Sequence, residues 1–292
     1  MAGGICIVIV NYNSGHLLCR CLDSIKAQNR DDCRVIVVDN NSADDSLQCL
    51  SSGYAEVDCI VNRQNLGFAV ANNQAVSGSD EDLLFFLNPD TEVKPGCLDA
   101  IEEFMATHPD VGLAAPALLN IDGTPHSSHE YMYPGGRYAP ELFQNLPGDI
   151  AWLLGAALVV RRDVFCAVGG FDTRFFLYAE DIDLCLEVRK KGWPLALIPG
   201  AEVMHIEGQS EKGAPYAEVM ERKIRAEILF LKKHYPPAIV RKICFVRLLE
   251  SWWRIACLQV LAKVIGLTAE NKDKLSRYRV VSGLYRQLED GQ

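Results

Sequence analysis

Short apolar runs alternate with helix-like spacing of apolar residues through the first third of the chain. The runs have the length and composition of strands that are buried on both faces of a sheet: Ile5–Val10, Val35–Val38, Val57–Val61 and Leu83–Leu87. Between them, apolar residues recur at helical spacing, for example from Leu17 to Ile25. This alternation of strand and helix predicts an α/β fold with a parallel sheet and right-handed crossovers.

The middle of the chain predicts shorter and less regular elements. The pattern favours a helix at Pro95–Thr107, with Pro95 near its first turn, and a strand at Val111–Leu119. Ile121–Gly148 has no clear period and predicts a long loop, a candidate lid or acceptor-side segment. The apolar run Trp152–Val160 fits either a buried strand or a buried helix. Two further short strands are predicted at Leu195–Ile198 and Ala201–Met204.

Polar residues follow three of the predicted strands at the point where each strand ends. Asn11, Asp39 and Asp90 occupy these positions, and Ser42 is a candidate cap for the next helix. Any one of them could be a simple turn residue, because Asn and Asp are common in turns. Ligands of parallel α/β sheets bind beyond the carboxyl ends of the strands, so the three together predict a binding site there. The glycine-rich motifs of dinucleotide dehydrogenases and P-loop enzymes are absent from the sequence.

The stretch Gly169–Trp193 combines a glycine turn, an aromatic run and a helix with acids at its start and bases at its end. The three acids are Glu180, Asp181 and Asp183, and Gly192 ends the helix. Acids at the first turn match the helix dipole, which is a purely structural explanation. The aromatic run before the helix would instead shield a carboxylate from water and raise its pKa, which is what a general base requires.

Composition and charge narrow the class of protein. The chain has 292 residues, enough for one large domain with an appendage, and its net charge of −9 argues against a nucleic-acid partner. Eleven scattered cysteines with no CxxC pair favour a reduced set of thiols over a disulfide framework. The sequence shows neither a secretory signal nor a long uninterrupted apolar run. We therefore expect a cytoplasmic protein.

The C-terminal part is helical in pattern from about Glu218. Within Ala238–Leu267 five basic residues stand against one acid, a local net charge of +4 in an acidic protein, with Trp252 and Trp253 in the middle. A basic helix with aromatic and aliphatic residues is typical of a membrane interface. Packing of a helical pair on the core, or on a second copy of the chain in a homodimer, explains the pattern equally well.

Seven sequence blocks, taken in order, resemble a known enzyme family. They are IVIVNYNS, VIVVDNNSADDS, NLGFAVANNQA, FFLNPDTEV, WLLGAALVVRRDVFCAVGGFD, FFLYAEDIDLCL and VMHIEGQS, which together span Ile5 to Ser210. The chain resembles the family-2 glycosyltransferases, which are inverting enzymes of the GT-A fold, and is similar to their rhamnosyltransferase-like branch. The resemblance implies a Rossmann-like, mostly parallel sheet flanked by helices, with a C-terminal helical appendage.

The resemblance assigns roles to the strand ends. It implies that the donor's nucleotide lies at the end of the first strand and that an acid hydrogen-bonds the pyrimidine base. The nucleotide-sugar-binding residues implied are Asn11, Tyr12, Asp39, Asn65, Gly67, Asn73 and Asn88. Elementary chemistry agrees at Gly67, since glycine allows the backbone to approach a ligand and the following helix N-terminus favours a diphosphate.

Asn88-Pro89-Asp90 occupies the place of the family's metal-binding D-x-D motif. Asp90 matches its final acid, and His205 matches a histidine that completes the metal site in some members. The implied cofactor is Mg²⁺ or Mn²⁺, which uses hard oxygen ligands and would neutralise the departing diphosphate. Asn88 departs from the acidic pattern, so the site has one charge fewer.

The resemblance also implies a general base and an acceptor site. Asp181 matches the catalytic base, with Asp183 as a rival candidate and Glu180 as a supporting residue. Glu187 stands where many members have an arginine; either Arg189 replaces that arginine or the contact is lost. The residues expected to line the acceptor site are Trp152, Leu154 and Gly155.

Together these points predict an inverting glycosyltransferase with its catalytic domain at residues 1–235 and a helical segment at 236–292 for membrane or homodimer contact. The predicted donor is a nucleoside diphosphate sugar, with dTDP-rhamnose first and a UDP-sugar second. The predicted acceptor is a glycan or a lipid-linked glycan of cell-envelope polysaccharide biosynthesis, at the inner face of a membrane. A sugar-nucleotide nucleotidyltransferase and a non-catalytic sugar-nucleotide-binding protein are the alternatives.

Overall fold

The computed structural model describes residues 4–206, 214–266 and 268–289. The chain forms two compact units. The first comprises Met1–Tyr133, Asn145–Phe176 and Glu180–Ser210, and the second comprises Pro134–Gln144, Leu177–Ala179 and Glu211–Gln292. Packing units need not coincide with functional domains, so the functional boundary at residue 235 stays a prediction.

A mixed sheet organises the first unit. The strands of this unit are β1 Ile5–Asn11, β2 Cys33–Asp39, β3 Asp58–Val61, β4 Leu83–Leu87, β5 Thr91–Val93, β6 Leu113–Leu119, β7 Pro125–His126, β8 His129–Glu130, β9 Trp152–Leu153, β10 Ala157–Arg161 and β11 Leu195–His205. Of these, β8 and β9 form a separate pair, and the others form the mixed sheet. The order across the sheet is β3-β2-β1-β4-β10-β6-β11-β5, with β7 paired to β6. The first four strands in this order are mutually parallel, whereas β10 runs antiparallel to both of its neighbours.

Helices cover both faces of this sheet. They are α1 His16–Lys26, α2 Ser46–Gly53, α3 Phe68–Ser77, α4 Cys97–Thr107, α5 Arg162–Val168 and α6 Glu180–Lys190. Alternate residues of β1 enter two different hydrophobic clusters: Ile7 packs with residues of α1, α2 and α4, and Val8 packs with residues of α3, α5 and α6. Both faces of β1 are therefore buried, which is why its sequence is a continuous apolar run rather than an alternating one.

Three long helices dominate the second unit: α7 Tyr216–His234, α8 Pro237–Ile265 and α9 Ala269–Glu289. A partly buried polar cluster links them, because Arg247 of α8 donates to Glu227 of α7 at 3.3 Å and the Tyr285 hydroxyl of α9 donates to the same carboxylate at 3.5 Å. Within the described residues, no helix is long and apolar enough to cross a membrane.

The strands and helices predicted before Leu87 are confirmed, but the later elements differ from the expectations. The helix α4 begins at Cys97 behind Gly96, whose φ is 78°, so Pro95 lies outside it. The run Trp152–Val160 divides into β9 and β10. The two short strands predicted after Leu195 form one strand, β11, interrupted by a bulge between Ile198 and Glu202.

Several smaller expectations also need correction. Ser42 does not cap a helix, since α2 begins at Ser46 behind Asp45. The short strand β5 and the helix α5 were not predicted, and the long loop contains β7 and β8. The described cysteines are free thiols apart from Cys19, which is disulfide-bonded, so the expectation of a fully reduced set is wrong at Cys19.

Candidate active site

A buried amide–carboxylate pair joins the carboxyl ends of β1 and β2. The Asn11 side-chain amide donates to Asp39 Oδ1 at 2.7 Å, and Asp39 Oδ2 accepts the Ser42 backbone N–H at 3.0 Å. The same amide nitrogen contacts the hydroxyls of Ser42 and Ser46 at 3.1 and 2.8 Å. Asn11 and Asp39 are fully buried, and Asn11 Oδ1 has no hydrogen-bond partner. This oxygen is a candidate acceptor for a ligand. The next residue, Tyr12, has a half-exposed side chain.

Two loops are held around this pair by short polar contacts. Asn13, in a left-handed conformation with φ of 53°, accepts the Ala43 backbone N–H at 2.8 Å. Asp44 accepts the Gly15 backbone N–H at 2.7 Å and the Ser46 hydroxyl. Burial raises the pKa of the Asp44 carboxyl, but the hydrogen bonds from Ser46 and Gly15 outweigh it and lower the pKa overall.

Gly67 lies at the start of α3 in a conformation that only glycine adopts easily. Its φ is 83°, and a Cβ there would lie 2.5 Å from the Phe176 carbonyl oxygen. The Asn65 side chain accepts the Gly67 N–H at 2.9 Å, and the Phe68 N–H donates to Phe176 at 2.8 Å. The first turn of α3 is therefore fixed against the segment that leads towards α6.

Asn73, in the second turn of α3, binds the same segment through both the nitrogen and the oxygen of its amide. Its nitrogen donates to the Phe171 carbonyl at 2.8 Å and its oxygen accepts the Phe171 N–H at 3.0 Å. This pairing joins α3 to the glycine turn. Its contribution to a nucleotide-sugar pocket stays a prediction, and the contacts indicate that any contribution acts through the backbone of Phe171.

Asp90 and His205 meet where β4 ends. The antiparallel pairing of β5 with β11 sets His205 opposite Thr91, and its Nε2 lies 3.5 Å from Asp90 Oδ1. Both side chains are about nine-tenths buried, and His205 Nδ1 has no hydrogen-bond partner. A carboxylate and an imidazole are ligands for divalent cations, and 3.5 Å is too long for a strong hydrogen bond between them. These two residues therefore fit a metal site.

Asp181 is held by a backbone N–H from another element. Gly155, between β9 and β10, donates to Asp181 Oδ2 at 2.8 Å, and Ile182 in the same helix donates to Oδ1 at 2.8 Å. A Cβ on Gly155 would lie 3.1 Å from the carboxylate, so glycine is what allows this approach. Tyr178 and Ala179, just before α6, have φ of 74° and 64°, a strained backbone of the kind that clusters at functional sites.

Glu180 and Asp181 form a buried pair of carboxyl groups. Burial raises the pKa of Glu180, and the negative charge of Asp181 raises it further. Burial also raises the pKa of Asp181, while its bonds from Gly155 and Ile182 oppose the rise. Glu180 Oε2 has no hydrogen-bond partner, whereas both Asp181 oxygens accept backbone N–H groups, so negative charge is better supported on Asp181 than on Glu180. Asp183, the rival base, is also buried.

One backbone connection brings the metal-type and base-type residues to the same sheet edge. The Asn88 N–H, just beyond β4, donates to the Ala156 carbonyl at 2.9 Å. Ala156 directly follows Gly155, whose own N–H holds Asp181. The Asn88-Pro89-Asp90 turn and the Asp181 carboxylate are therefore attached to adjacent residues of one short segment.

Comparison with known proteins assigns the chain to a family. The model of glycosyl transferase family 2 matches residues 6–168, more than half of the chain. The chain belongs to glycosyl transferase family 2. It is similar to the N-acetylglucosaminyl-diphospho-decaprenol L-rhamnosyltransferase of Mycobacterium tuberculosis, at 27% identity over 85% of this chain and 86% of the relative. It is also similar to the rhamnosyltransferase WbbL of Escherichia coli, at 27% identity over 68% of this chain and 82% of the relative.

Solved structures agree on the fold of this glycosyltransferase. The mannosyltransferase PcManGT from Pyrobaculum calidifontis, solved with GDP-Man and Mn²⁺, superposes with a TM-score of 0.62 at 17% identity, covering 99% of this chain and 88% of that one. GalNAc-T7, solved with UDP, GalNAc and Mn²⁺, gives a TM-score of 0.59 at 14% identity, covering 76% of this chain and 47% of that one. The predicted GT-A-like sheet with C-terminal helices is confirmed.

The predicted acceptor residues of the glycosyltransferase lie on the β8–β9 pair and its continuation. Trp152 is opposite Glu130 in this pair, and its indole nitrogen donates to the Met132 carbonyl at 3.2 Å. The Leu154 N–H donates to the Ser128 carbonyl at 2.9 Å, just before Gly155. These contacts hold the segment 128–132, where Tyr131 and Met132 are exposed, against the strand that leads to Gly155.

Arg189 does not have a free guanidinium for a diphosphate. The side chain is buried and donates to the carbonyls of Pro147 and Gly148 at 2.9 and 2.7 Å and to the Tyr133 hydroxyl at 3.1 Å. Arg189 therefore does not replace the arginine that many family members have at the position of Glu187, and that alternative is wrong.

The structure adds polar residues to the candidate site that the sequence analysis did not select. Asn40 donates to the Gly67 carbonyl at 3.2 Å, and Asn62 links the amides of Asn40 and Gln74 at 2.9 Å each. Ser46 joins the Asn11 pair through its hydroxyl. The sequence could have indicated two of them, because Asn40 and Asn62 both follow predicted strands, as the selected strand-end residues do.

Proposed function

We propose that this family-2 glycosyltransferase moves a sugar from a nucleoside diphosphate donor to an acceptor hydroxyl by a single displacement that inverts the anomeric carbon. The donor is dTDP-rhamnose in the first instance and a UDP-sugar otherwise. The acceptor is a lipid-linked glycan of cell-envelope polysaccharide biosynthesis at the inner, cytoplasmic face of a membrane. The observation that carries the proposal is the attachment of Asp181 and the Asn88-Pro89-Asp90 turn to adjacent residues Gly155 and Ala156.

The donor half rests on the polar ends of β1 and β2 and on the start of α3. Asn11 Oδ1 is buried without a partner, so a donor group on the nucleobase would satisfy it. Tyr12, the next residue in the chain, is half exposed and would offer a ring face to the base. Gly67 precedes α3, whose dipole favours negative charge near its N-terminus, where the diphosphate would lie.

Asp90 and His205 would hold the cation, either Mg²⁺ or Mn²⁺. When bound, the cation supplies charge neutralisation for the leaving nucleoside diphosphate. Since Asn88 stands where the family has an acid, this turn would offer the cation a single carboxylate, that of Asp90.

Asp181 acts as the general base in this proposal. The Gly155 and Ile182 N–H groups fix its carboxylate, and burial raises its pKa towards the range in which a base is effective. The acceptor oxygen attacks the anomeric carbon as it loses its proton to Asp181, and the bond from that carbon to the diphosphate oxygen breaks. Glu180, which keeps its proton, spares Asp181 a second negative charge beside it.

The lipid-linked acceptor and the rhamnose donor are inferred from the names of two relatives. The first is an N-acetylglucosaminyl-diphospho-decaprenol L-rhamnosyltransferase and the second is a rhamnosyltransferase. Trp152 offers a partly buried aromatic surface for the acceptor sugar, one residue before the buried Leu153 and three before Gly155. Aromatic rings provide apolar area with a polar edge, which suits a sugar ring.

A donor screen tests the proposal directly. Purified protein is incubated with dTDP-rhamnose, UDP-glucose, UDP-N-acetylglucosamine and GDP-mannose, each with Mg²⁺, Mn²⁺ or a chelator, and free nucleoside diphosphate is measured. We expect slow metal-dependent hydrolysis of dTDP-rhamnose, accelerated by an N-acetylglucosaminyl-diphospho-lipid acceptor. Hydrolysis of UDP-sugars alone would replace rhamnose by another sugar. Release of nucleoside monophosphate, or no turnover of any donor, would contradict the proposal.

A further inference from the structure

One face of α8 exposes large apolar side chains along five turns. The exposed residues on α8 are Phe245, Leu249, Trp252, Trp253, Val260 and Val264. Their spacing follows the period of an α-helix, so all of them fall on one side. Trp253 and Val264 are 69% and 75% exposed, a much larger fraction than is usual for residues of this type.

The opposite side of α8 is the one that packs within its own unit. Ile243, Cys244, Leu248 and Ser251 are buried. Trp252 also donates its indole N–H to the Ser282 hydroxyl of α9 at 3.0 Å, which fixes its ring at the border of the exposed face. Both faces of α8 are therefore apolar, and packing within the unit accounts for only one of them.

The exposed face also carries positive charge without negative charge. At roughly 100° per residue, Arg241, Lys242 and Lys263 fall on the same side as the exposed apolar residues. The one carboxylate of α8, Glu250, lies off this side and contacts Arg247 at 3.9 Å. Among the described residues, none of the three cations lies within ion-pair distance of a carboxylate. The apolar stripe therefore has cations at both of its ends.

This charge pattern discriminates between two kinds of occupant. A second copy of the chain, paired through the same face about a two-fold axis, would set Arg241 and Lys242 against Lys263 of the other copy. Those contacts are like-charged, and α8 offers no carboxylate on this face to relieve them. An anionic lipid surface instead attracts every cation on the face and takes up its tryptophans at the headgroup level.

We propose that this face of α8 binds the surface of an anionic lipid bilayer, with the helix lying in the plane of the headgroups. A basic helix with a broad apolar face and aromatic residues is suited to that position. The exposed stripe from Arg241 to Val264 is about 35 Å long at 1.5 Å per residue, which is long enough for several lipids to contact it. The proposal stands on this face alone and does not depend on the donor or the acceptor.

Vesicle flotation with the full-length protein tests it. The vesicles are phosphatidylcholine alone, or phosphatidylcholine with phosphatidylglycerol. We expect binding to the anionic vesicles, with a decrease on addition of salt, because screening weakens the attraction of exposed charges. The Lys242→Gln/Lys263→Gln variant should bind anionic vesicles about 25-fold less tightly, at about fivefold per cation. The Trp253→Ser/Val264→Ser variant should lose at least tenfold, since it removes apolar area from the bound helix.

Matched controls separate the face from general effects. Arg254→Gln removes an exposed cation from the same helix on another side, and Ile121→Ser removes an exposed apolar residue from the sheet unit. Both should bind vesicles as the parent does. Thermal unfolding checks that each variant is folded; if the serine variant is not, the glutamine variant decides.

Three outcomes would overturn the proposal. The parent could fail to float with anionic vesicles, or the Arg254→Gln control could lose as much binding as the glutamine variant does. Light scattering could instead show a dimer that Trp253→Ser/Val264→Ser dissociates, which would assign the face to a second copy of the chain. No sugar nucleotide is present in these assays, so their result is separate from that of the donor screen.

Discussion

Two buried carboxylate sites of the same unit are hydrogen-bonded in very different ways. Asp39, at the end of β2, accepts an amide N–H from Asn11 and a backbone N–H from Ser42, one on each oxygen. At the start of α6, Asp181 also receives two backbone N–H groups, but the adjacent Glu180 keeps a buried oxygen without a partner. The Asp39 carboxylate therefore has a protein donor on each oxygen, whereas the Glu180–Asp181 pair keeps a carboxyl oxygen that no protein donor reaches.

In the proposed function, this difference would separate a donor-binding site from a proton-transfer site. Satisfied polar groups hold a fixed geometry, which suits recognition of a base and a ribose. A pair of carboxyl groups that is buried without enough donors has its pKa values raised, which suits proton transfer. We therefore expect substitutions at the β2 end to affect stability and donor binding, and substitutions at the α6 start to affect turnover.

Asp181→Asn should have the largest effect. The amide keeps the shape and one acceptor oxygen but cannot take a proton, so kcat should fall about 1,000-fold, within the range of general-base catalysis. The KM for the donor should change by less than about threefold, because the residue acts on the acceptor side. Steady-state kinetics with the donor found in the screen provide both values.

Asp163→Asn is a matched control for that variant. Asp163 is exposed in the first turn of α5, and its carboxylate accepts the next residue's N–H at 2.8 Å, as Asp181 does from Ile182. Its kcat should equal that of the parent. If Asp183→Asn lost turnover and Asp181→Asn did not, the base would be Asp183.

Asn11→Ala should mainly reduce stability and donor binding. It leaves Asp39 buried without its amide donor, and a hydrogen bond to a charged group contributes about 1.5–3 kcal/mol. The free energy of unfolding from denaturant titration should fall by that amount. Nucleotide affinity, measured by calorimetry, should fall in parallel, whereas any remaining turnover should keep the parent's pH profile.

The exposed neighbour Asn13 offers the control for this substitution. Glycine accepts its φ of 53°, so Asn13→Gly removes one loop contact without straining the backbone. It should cost less than about 1 kcal/mol. An Asn11→Ala protein with unchanged stability and unchanged nucleotide affinity would remove the distinction between the two carboxylate sites.

The same two regions differ in how far the sequence predicts them. The strands β1 to β4 are continuous apolar runs that end in polar residues, and their parallel pairing joins Asn11 to Asp39 in register. The apolar runs and the polar residues at their ends were enough to predict this part of the site. The pattern also selected Asp90 and Asp181, but their roles as metal ligand and base came from the family resemblance, since an acid at a turn or a helix start has a structural explanation as well.

The second half of the sheet was less predictable for physical reasons. The strand β10 lies in the middle of the sheet and is buried on both faces, so its sequence is a continuous apolar run. Such a run has no period that separates β9 from β10. Side-chain contacts over long sequence separations were also beyond local patterns, as with Asn73 and Phe171. The bulge in β11 depends on pairing with β6 and leaves no period of its own.

Gly155→Ala tests the backbone contact that holds the base. The added methyl would lie 3.1 Å from the Asp181 carboxylate, so the carboxylate must move by a few tenths of an ångström. A displacement of this kind should lower kcat about tenfold and leave the donor KM unchanged. Gly53→Ala is the control, because a Cβ at Gly53 meets no atom within 4 Å. Equal kcat for both variants would show that Gly155 does not position the base.

Glu180→Gln should have the smallest effect, and its sign depends on pH. The folded state binds the Glu180 proton more tightly than the unfolded chain does, because burial and the charge of Asp181 raise the pKa. Ionised Glu180 therefore costs stability above the raised pKa, and the cost disappears as the pH falls towards the ordinary value of about 4.3. Glutamine removes that cost, so the variant should be more stable than the parent at alkaline pH.

The gain should therefore grow with pH and vanish in acid. We expect a Tm increase of about 2–4 °C at alkaline pH for each kcal/mol of cost removed, and none near the ordinary pKa of a glutamate. Differential scanning calorimetry over this range, with the exposed Glu103→Gln as control, measures the difference. A Glu180→Gln protein whose Tm difference from the parent is the same at every pH would mean that Glu180 is ionised at no cost. The two carboxylate sites would then differ in position only, and the proton held beside Asp181 would have no place in the reaction.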